Sequence, residues 1–329
     1  MNEKILATMK SLDVEDWVDI HFGRPVAYWI MRAFACLNIH PNAVSIMSML
    51  IGAASALFFV HGSFFYEGTT GLVYNVIAVL MFYTAYLFDD VDGQLARYTG
   101  KCTRLGRVLD GAASAFWYIP IYLVTIYRIY KYHSIEFGWL GIEDTATNVI
   151  AATVIVAILV HLSGYLCCMG QQRTADYYNQ IYLFFLKGTG GSELDDSAAL
   201  KSAYDKLGAD ADWLDRMSQS SYINYTRLQE KKTPQFQRLR AALKEKYGSE
   251  TNAPQEFRER ILAELKPLAR ENCLLTFNFR TGFMILLYLL DVPFLYFIFE
   301  IAVISLIERD VVKKHERICA KYCAELTGK

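Results

Sequence analysis

Six long apolar segments constrain this chain more than any other feature of its sequence. A helix needs about twenty apolar residues to cross the hydrocarbon of a bilayer, and each segment comes close to that length. The segments are 41–62, 71–97, 104–130, 146–170, 273–290 and 292–308. We therefore predict an all-α polytopic membrane protein with about six transmembrane helices.

The composition supports the same class. Hydrophobic residues occupy 53% of the 329 positions and aromatic residues 14%, which is more apolar than is usual for a soluble domain of this length. The formal net charge of −1 gives no indication of a nucleic-acid partner. The seven cysteines form no paired CxxC clusters, so we expect reduced cysteines in packing positions rather than disulfides or a zinc site.

Polar segments divide the chain into five parts. The first is amphipathic and carries Trp17, Arg24, Trp29 and Arg32, which suits a helix lying in the membrane interface. The later polar part contains the amphipathic patterns of two helices and reads as a cytosolic helical insert. The predicted parts are the interfacial segment 1–40, spans one to four in 41–172, the insert 173–271, spans five and six in 272–308, and a basic tail 309–329.

Basic residues predict the orientation, because short cytosolic loops are enriched in Lys and Arg. The loop 63–70 has no basic residue, and the loop 131–145 has only Lys131. The turn 97–107 and the tail after Glu308 are rich in Lys and Arg. We therefore expect an integral multi-pass protein with both termini and the 97–107 turn facing the cytosol.

Three aspartates occupy the region where spans two and three approach that turn. Asp89 and Asp92 are three residues apart, which places both carboxylates on one helix face, and Asp110 lies at a similar depth in the next helix. Carboxylates in apolar helices are costly unless they meet a cation or a water-filled cavity. Oxygen ligands of this kind suit Mg²⁺ or Mn²⁺.

Small residues and one arginine accompany these carboxylates. Gly93, Ala96 and Gly106 would let helices approach closely and leave room for a nucleotide, and Arg97 could meet a phosphate. The alternative interpretation is a set of charges that snorkel from a helix end to the interface. We favour the site, because three carboxylates and the small residues occur together.

This stretch resembles the signature of the CDP-alcohol phosphotransferase family (CDP-alcohol phosphatidyltransferases), DxxDGxxAR followed after eight residues by GxxxDxxxD. The six-span layout and the interfacial N-terminal helix are also similar to that family. The matching positions are Asp89, Asp92, Gly93, Ala96, Arg97, Gly106 and Asp110. The resemblance does not extend to the insert 173–271.

The resemblance implies a function and a set of roles. A phosphatidyl or phospho-alcohol group would pass from CDP-diacylglycerol or a CDP-alcohol to an alcohol-type acceptor, with release of CMP, in phospholipid biosynthesis. Asp89, Asp92 and Asp110 would bind two ions, either Mg²⁺ or Mn²⁺. The substrate site beside them would comprise Gly93, Ala96, Arg97 and Gly106. A homodimer is expected by analogy with related enzymes.

Ser114 departs from the signature, because the family has its last aspartate there, as a metal ligand and the general base. Four explanations remain open. The acceptor could already be acidic and need no base, or Asp90 or a buried His161 could serve instead. The metal arrangement could differ, or the chain could be a catalytically impaired pseudoenzyme that binds CDP compounds or lipid and acts through its insert.

Polar residues in spans five and six are candidates for the acceptor site. Arg280 could bind an acceptor phosphate, with Asn278 and Glu300 nearby. An Arg280–Glu300 ion pair between two neighbouring helices is the competing interpretation. A transporter is disfavoured, because the charges cluster near one membrane face and no inverted repeat is present.

Overall fold

The computed structural model describes residues 11–207 and 212–328. The first ten residues of the predicted interfacial segment and residues 208–211 of the predicted insert lie outside the described residues. Several side chains within helices are also not described, namely those of Arg104, Arg107, Val108, Leu166, Cys168 and Leu214.

The described residues contain helices and no strands, as predicted, and divide into two compact units. Unit 1 comprises residues 16–168 and 277–303. It opens with a π-helical turn, Asp19–Gly23, and contains two further π segments, Leu162–Cys168 and Glu300–Ile304. Its helices are α1 (Arg24–Cys36), α2 (Pro41–Phe59), α3 (Phe64–Thr99), α4 (Arg104–Lys131), α5 (Ser134–Leu140), α6 (Ala146–His161), α12 (Phe277–Leu289) and α13 (Leu295–Phe299).

Unit 2 comprises residues 11–15, 169–207, 212–276 and 304–328. The insert and the tail that the sequence analysis treated separately therefore pack within one unit. Both predicted amphipathic helices are present, at 234–247 and from 255 onward. The helices of unit 2 are α7 (Met169–Lys187), α8 (Ser197–Asp205), α9 (Trp213–Lys232), α10 (Pro234–Tyr247), α11 (Gln255–Asn272) and α14 (Ser305–Thr327).

Five helices of the described residues are long and apolar enough to cross a membrane. They are Pro41–Phe59, Phe64–Thr99, Leu109–Lys131, Ala146–Lys187 and Gln255–Leu289, and each overlaps one of the first five predicted spans. The segment 292–308 is not among them. Its helix begins only at Leu295, and Glu308, Arg309 and Asp310 follow the apolar stretch too soon for a full crossing.

Local signals explain where the helices of unit 1 begin. His40 is the cap residue of α2, and its Nδ1 accepts the N–H of Asn42 at 3.2 Å. Ser63 Oγ similarly accepts the N–H of Tyr66 at 3.3 Å and opens α3. Gly68 interrupts that helix with φ +60°, a backbone conformation that glycine adopts without steric cost.

Close helix packing forms the core of unit 1. A Cβ atom on Gly52 of α2 would lie 2.1 Å from Trp117 Cδ1 of α4, so only glycine permits this approach. Phe82 of α3 packs edge-on against Trp117 with ring centroids 6.2 Å apart. The fully buried aromatic and aliphatic members of this core include Phe59, Phe82, Ile121, Met284 and Tyr296.

An ion pair between Arg128 of α4 and Asp291, which we call the Arg128–Asp291 clasp, fastens the α12–α13 turn. Both side chains are at most 3% exposed. Asp291 also accepts hydrogen bonds from Ser63 Oγ at 2.8 Å and from the N–H of Phe65 at 2.9 Å. Arg128 Nη1 donates to the carbonyl of Phe59 at 3.2 Å. The clasp therefore satisfies both charges and ties the beginning of α3 to α4 and the turn at 291.

A candidate phosphotransfer site at the ends of α3 and α4

The last turns of α3 carry the two signature carboxylates. Asp92 is only 5% exposed and accepts a hydrogen bond from Ser45 Oγ of α2. Two turns earlier along α3, Ser48 Oγ donates to the carbonyl of Ala85 at 2.7 Å. These two serines, three residues apart on α2, hold α2 against the polar end of α3.

Asp110 of α4 lies close enough to act electrostatically on both Asp89 and Asp92. The charges of Asp92 and Asp90 also act on Asp89. Asp89 Oδ1 is buried and has no hydrogen-bond partner among the described residues. A buried carboxylate oxygen left in this state, among like charges, is costly without a cation. The arrangement thus concentrates negative charge from two helices at one place.

The start of α4 is fixed by a short chain of polar groups. Thr103 caps the helix by accepting the N–H of Gly106 at 2.9 Å, and its hydroxyl donates to Asn42 Oδ1 at 2.9 Å. A Cβ atom on Gly106 would stand 3.1 Å from that same Asn42 oxygen. Gly106 therefore allows the beginning of α2 to approach α4, four residues before Asp110.

Gly93, Ala96 and Arg97 lie along the same end of α3. A Cβ atom on Gly93 would meet the Arg97 guanidinium at 3.4 Å, so this side chain folds back over the glycine. Arg97 is exposed, Gly93 and Ala96 are half-buried, and the charge of Arg97 reaches Asp92. A cation beside the carboxylates at an exposed helix end could bind a phosphate group.

Comparison with protein families decides the class of this region. The family model for CDP-alcohol phosphatidyltransferases matches residues 38–183, which include every one of these groups. This part of the chain is a CDP-alcohol phosphatidyltransferase domain. Searches of curated proteins and of solved structures returned no match. The predicted family resemblance is thereby confirmed for residues 38–183.

Ser114 lies one turn after Asp110 in α4 of the CDP-alcohol phosphatidyltransferase domain and is half-buried. The two substitute bases suggested by the sequence have different surroundings. Asp90 is 8% exposed and pairs with Arg24 Nη1 of α1 at 2.9 Å. His161 is exposed and stacks on Tyr165, so the expectation of a buried His161 is wrong. Because α6 is apolar on all sides, its sequence does not reveal which face points inward.

Sequence reasoning missed a polar network beside the domain's signature helix. Asp19, 7% exposed, accepts hydrogen bonds from Tyr86 Oη at 2.7 Å and from Asn278 Nδ2 at 2.8 Å. Asn278 Nδ2 also contacts Asp16 Oδ2 at 2.5 Å. The i, i+3 spacing of Asp16 and Asp19 in the amphipathic N-terminal segment was the available signal.

Gln94 was also missed. It is completely buried within the signature stretch, and neither amide atom has a hydrogen-bond partner among the described residues. Its only sequence signal was a position between Asp92 and Arg97.

Arg280 takes part in the ion pair that the sequence left open as an alternative. Arg280 and Glu300 pair with both side chains fully buried. The Glu300 carboxylate also accepts hydrogen bonds from Tyr296 Oη at 3.0 Å, Tyr122 Oη at 3.3 Å and Ser163 Oγ. Glu300 and Ser163 each lie in a π-helical segment, a feature that is frequent at functional sites.

The residues present fit a divalent metal. All donors at the signature are carboxylate oxygens, which suit hard ions, and Asp89 Oδ1 is an available ligand atom. Within the described part of the chain, the three carboxylates do not form a group whose ligand atoms all lie within 4.8 Å of one another.

Proposed function

We propose that the chain transfers a phosphatidyl or phospho-alcohol group from a CDP-linked donor to an alcohol-type acceptor and releases CMP. The observation that carries this proposal is the convergence of Asp89, Asp92 and Asp110, with an unpartnered buried oxygen on Asp89, inside the matched domain. In this proposal the three aspartates hold Mg²⁺ or Mn²⁺. The bound ions would neutralise charge on the diphosphate.

The reaction needs one bond to form and one to break. An acceptor oxygen attacks the phosphorus that carries the alcohol or diacylglycerol, and the bond from that phosphorus to the CMP oxygen breaks. In this proposal Gly93, Ala96 and Gly106 line the site of the cytidine diphosphate, and Arg97 offers its guanidinium to a phosphate. Ser45 holds Asp92 in place, and Asn42 with Thr103 fixes the helix that carries Asp110.

Removal of the proton from the acceptor hydroxyl is the step without an assigned residue, because Ser114 stands where the family has its general base. Asp90 is engaged by Arg24, and His161 is exposed, so neither is well placed. An acceptor that is already acidic, such as a phosphate or carboxylate, would need no base and would take the place of the alcohol. Arg280 remains a proposed acceptor-binding residue, with its pairing to Glu300 as the competing structural role.

A second candidate function follows from the same position. With Ser114 in place of an aspartate, the chain could bind a CDP compound or lipid without turnover and act through unit 2. In either case we propose a site that opens to the cytosol, where the basic 97–107 turn would lie. A homodimer is proposed by analogy alone.

The test is CMP release by the purified protein in lipid nanodiscs. CDP-diacylglycerol or CDP-alcohols would be supplied with a panel of neutral and ionised acceptors, with Mg²⁺, Mn²⁺ or chelator. Asp92→Asn is the decisive variant, and Asp205→Asn, an exposed aspartate on α8, is the matched control. Metal-dependent CMP release that only Asp92→Asn abolishes supports the transferase.

Binding experiments separate the two candidate functions. If CDP compounds bind in a metal-dependent way but no donor–acceptor pair releases CMP, the second candidate function, binding without turnover, is favoured. Ser114→Asp would then be examined for gain of turnover with a neutral alcohol. Absence of both binding and release would overturn both proposals.

A further inference from the structure

Unit 2 contains a group of metal-ligating side chains that the phosphotransfer site does not use. His315 and Cys319 are four residues apart on α14 and therefore lie on one helix face, with Glu316 beside them. The ligand atoms of these three residues all lie within 4.8 Å of one another, and no other such group of three occurs in the described part of the chain. We propose that His315, Glu316 and Cys319 bind a zinc ion.

The distance between the two stronger ligands fits tetrahedral zinc. His315 Nδ1 lies 3.6 Å from Cys319 Sγ. A zinc ion with bonds of about 2.3 Å to sulfur and about 2.0 Å to nitrogen, at a tetrahedral angle, separates those two atoms by about 3.5 Å. The side chains thus hold the required separation without a change of backbone.

The surroundings of the group make its polarity unusual. His315 is 3% exposed and Cys319 is fully buried, in a core formed by apolar residues such as Ile181, Phe236 and Leu239. His315 Nε2 has no hydrogen-bond partner among the described residues. His315 Nδ1 and Cys319 Sγ meet each other in a hydrogen bond, which a zinc ion between the two atoms would replace.

Tyr178 of α7 is a second, independent indication. Its ring stacks on the His315 imidazole with centroids 4.1 Å apart, and its hydroxyl is buried with no partner in the described residues. The charges of Glu316 and Cys319 both act on that hydroxyl. An unpartnered donor therefore lies near the ligand group, where it could donate to a zinc-bound carboxylate or water.

The chemistry of the donors selects the class of ion. Imidazole nitrogen, thiolate sulfur and carboxylate oxygen together suit zinc and its substitute cobalt, whereas Mg²⁺ and Ca²⁺ prefer oxygen alone. Binding would convert the Cys319 thiol into a zinc-bound thiolate and release one proton to solvent. The fourth position is left for water.

Glu316 would connect the ion to a neighbouring helix. Its carboxylate accepts the N–H groups of Gln235 at 2.7 Å and Phe236 at 3.4 Å, at the beginning of α10. The side chain of Thr233, the cap residue of α10, accepts none of the first N–H groups of that helix, so Glu316 replaces it as the cap. Each carboxylate oxygen has two lone pairs, so the cap and a zinc bond can coexist.

The experiment is elemental analysis of the full chain purified in nanodiscs, followed by cobalt substitution. We expect about one zinc per chain, and a sulfur-to-cobalt charge-transfer band in the near ultraviolet once cobalt replaces it. Cys319→Ser should lose the band, and His315→Gln should lose the metal. Cys323→Ser is the matched control, because that half-buried cysteine lies one turn further along α14 and should retain both signals.

Two results would overturn the proposal. The first is that the purified chain contains no zinc and shows no charge-transfer band when cobalt is added. The other is zinc retained unchanged in both His315→Gln and Cys319→Ser. If those variants do not fold, the unaltered chain is tested with a chelator and then with added zinc. The temperature of thermal unfolding should fall when the metal is removed and recover when it is returned. These measurements do not depend on CMP release and leave the proposed transferase to its own test.

Discussion

Two polar regions of unit 1 differ in how their charges are satisfied. In the Arg128–Asp291 clasp, each charge has a partner of opposite sign, and Ser63, Phe65 and Phe59 supply the remaining hydrogen bonds. At the signature site, three carboxylates act on one another, and Asp89 retains a buried oxygen with no partner in the described residues. A complete buried network is costly to break, whereas the incomplete network at the signature would be completed by a bound cation.

Breaking the clasp should have the largest effect. Arg128→Met leaves the Asp291 carboxylate buried without its cation, so we expect a loss of about 3–5 kcal/mol in the free energy of unfolding. Unfolding in mixed detergent micelles measures it. The double variant with Asp291→Asn should recover part of the loss, and a double variant no more stable than Arg128→Met would contradict this account.

Removing a charge at the signature site, unlike removing Arg128, should not lower the free energy of unfolding. Asp89→Asn removes one of several like charges, so we expect unfolding stability to stay equal or rise by about 1 kcal/mol. CMP release should fall at least about a hundredfold, because a metal ligand is lost. A large loss of stability would show that Asp89 has a structural role like that of Asp291.

Glu136 gives the region of the Arg128–Asp291 clasp a stability that depends on pH. It is 6% exposed beside the clasp, and burial raises its pKa from the ordinary 4.5 to about 7. The folded chain therefore binds a proton that the unfolded chain has lost between these values, so stability falls as pH rises from about 4.5 to about 7. Unfolding measured across this range should show the decline, and Glu136→Gln should remove it. An unchanged slope in that variant would contradict the assignment.

The smallest effect is expected at Ser48. Its hydroxyl donates to the carbonyl of Ala85, which already lies within a helix, so Ser48→Ala should cost about 0.5–1.5 kcal/mol and leave CMP release unaltered. Ser45→Ala is the informative partner, because Ser45 contacts Asp92 directly. A similar loss of activity in both variants would mean that α2 matters only as a packing surface.

The sequence predicted the membrane class, five of the spans and the family of residues 38–183, because apolar length and fixed spacing are local properties. It did not predict which buried groups meet across helices. Asp19 with Asn278, and Arg24 with Asp90, are far apart in the chain. His161 was misplaced because a uniformly apolar helix has no pattern that fixes its rotation. The His315–Cys319 pair was overlooked because single Cys and His residues at helical spacing match no zinc motif.

Helix α14 has a consequence for how the protein is made. Its residues Val311, Cys319 and Tyr322 complete a core whose other members come from residues 14 and 177–269. The ribosome therefore synthesises α12 and α13 before α14, so the core of unit 2 lacks its last helix until synthesis is nearly finished. During that interval the apolar faces of α7, α10 and α11 lack their partner, and this is the stage of biosynthesis at which chaperones would have most to bind.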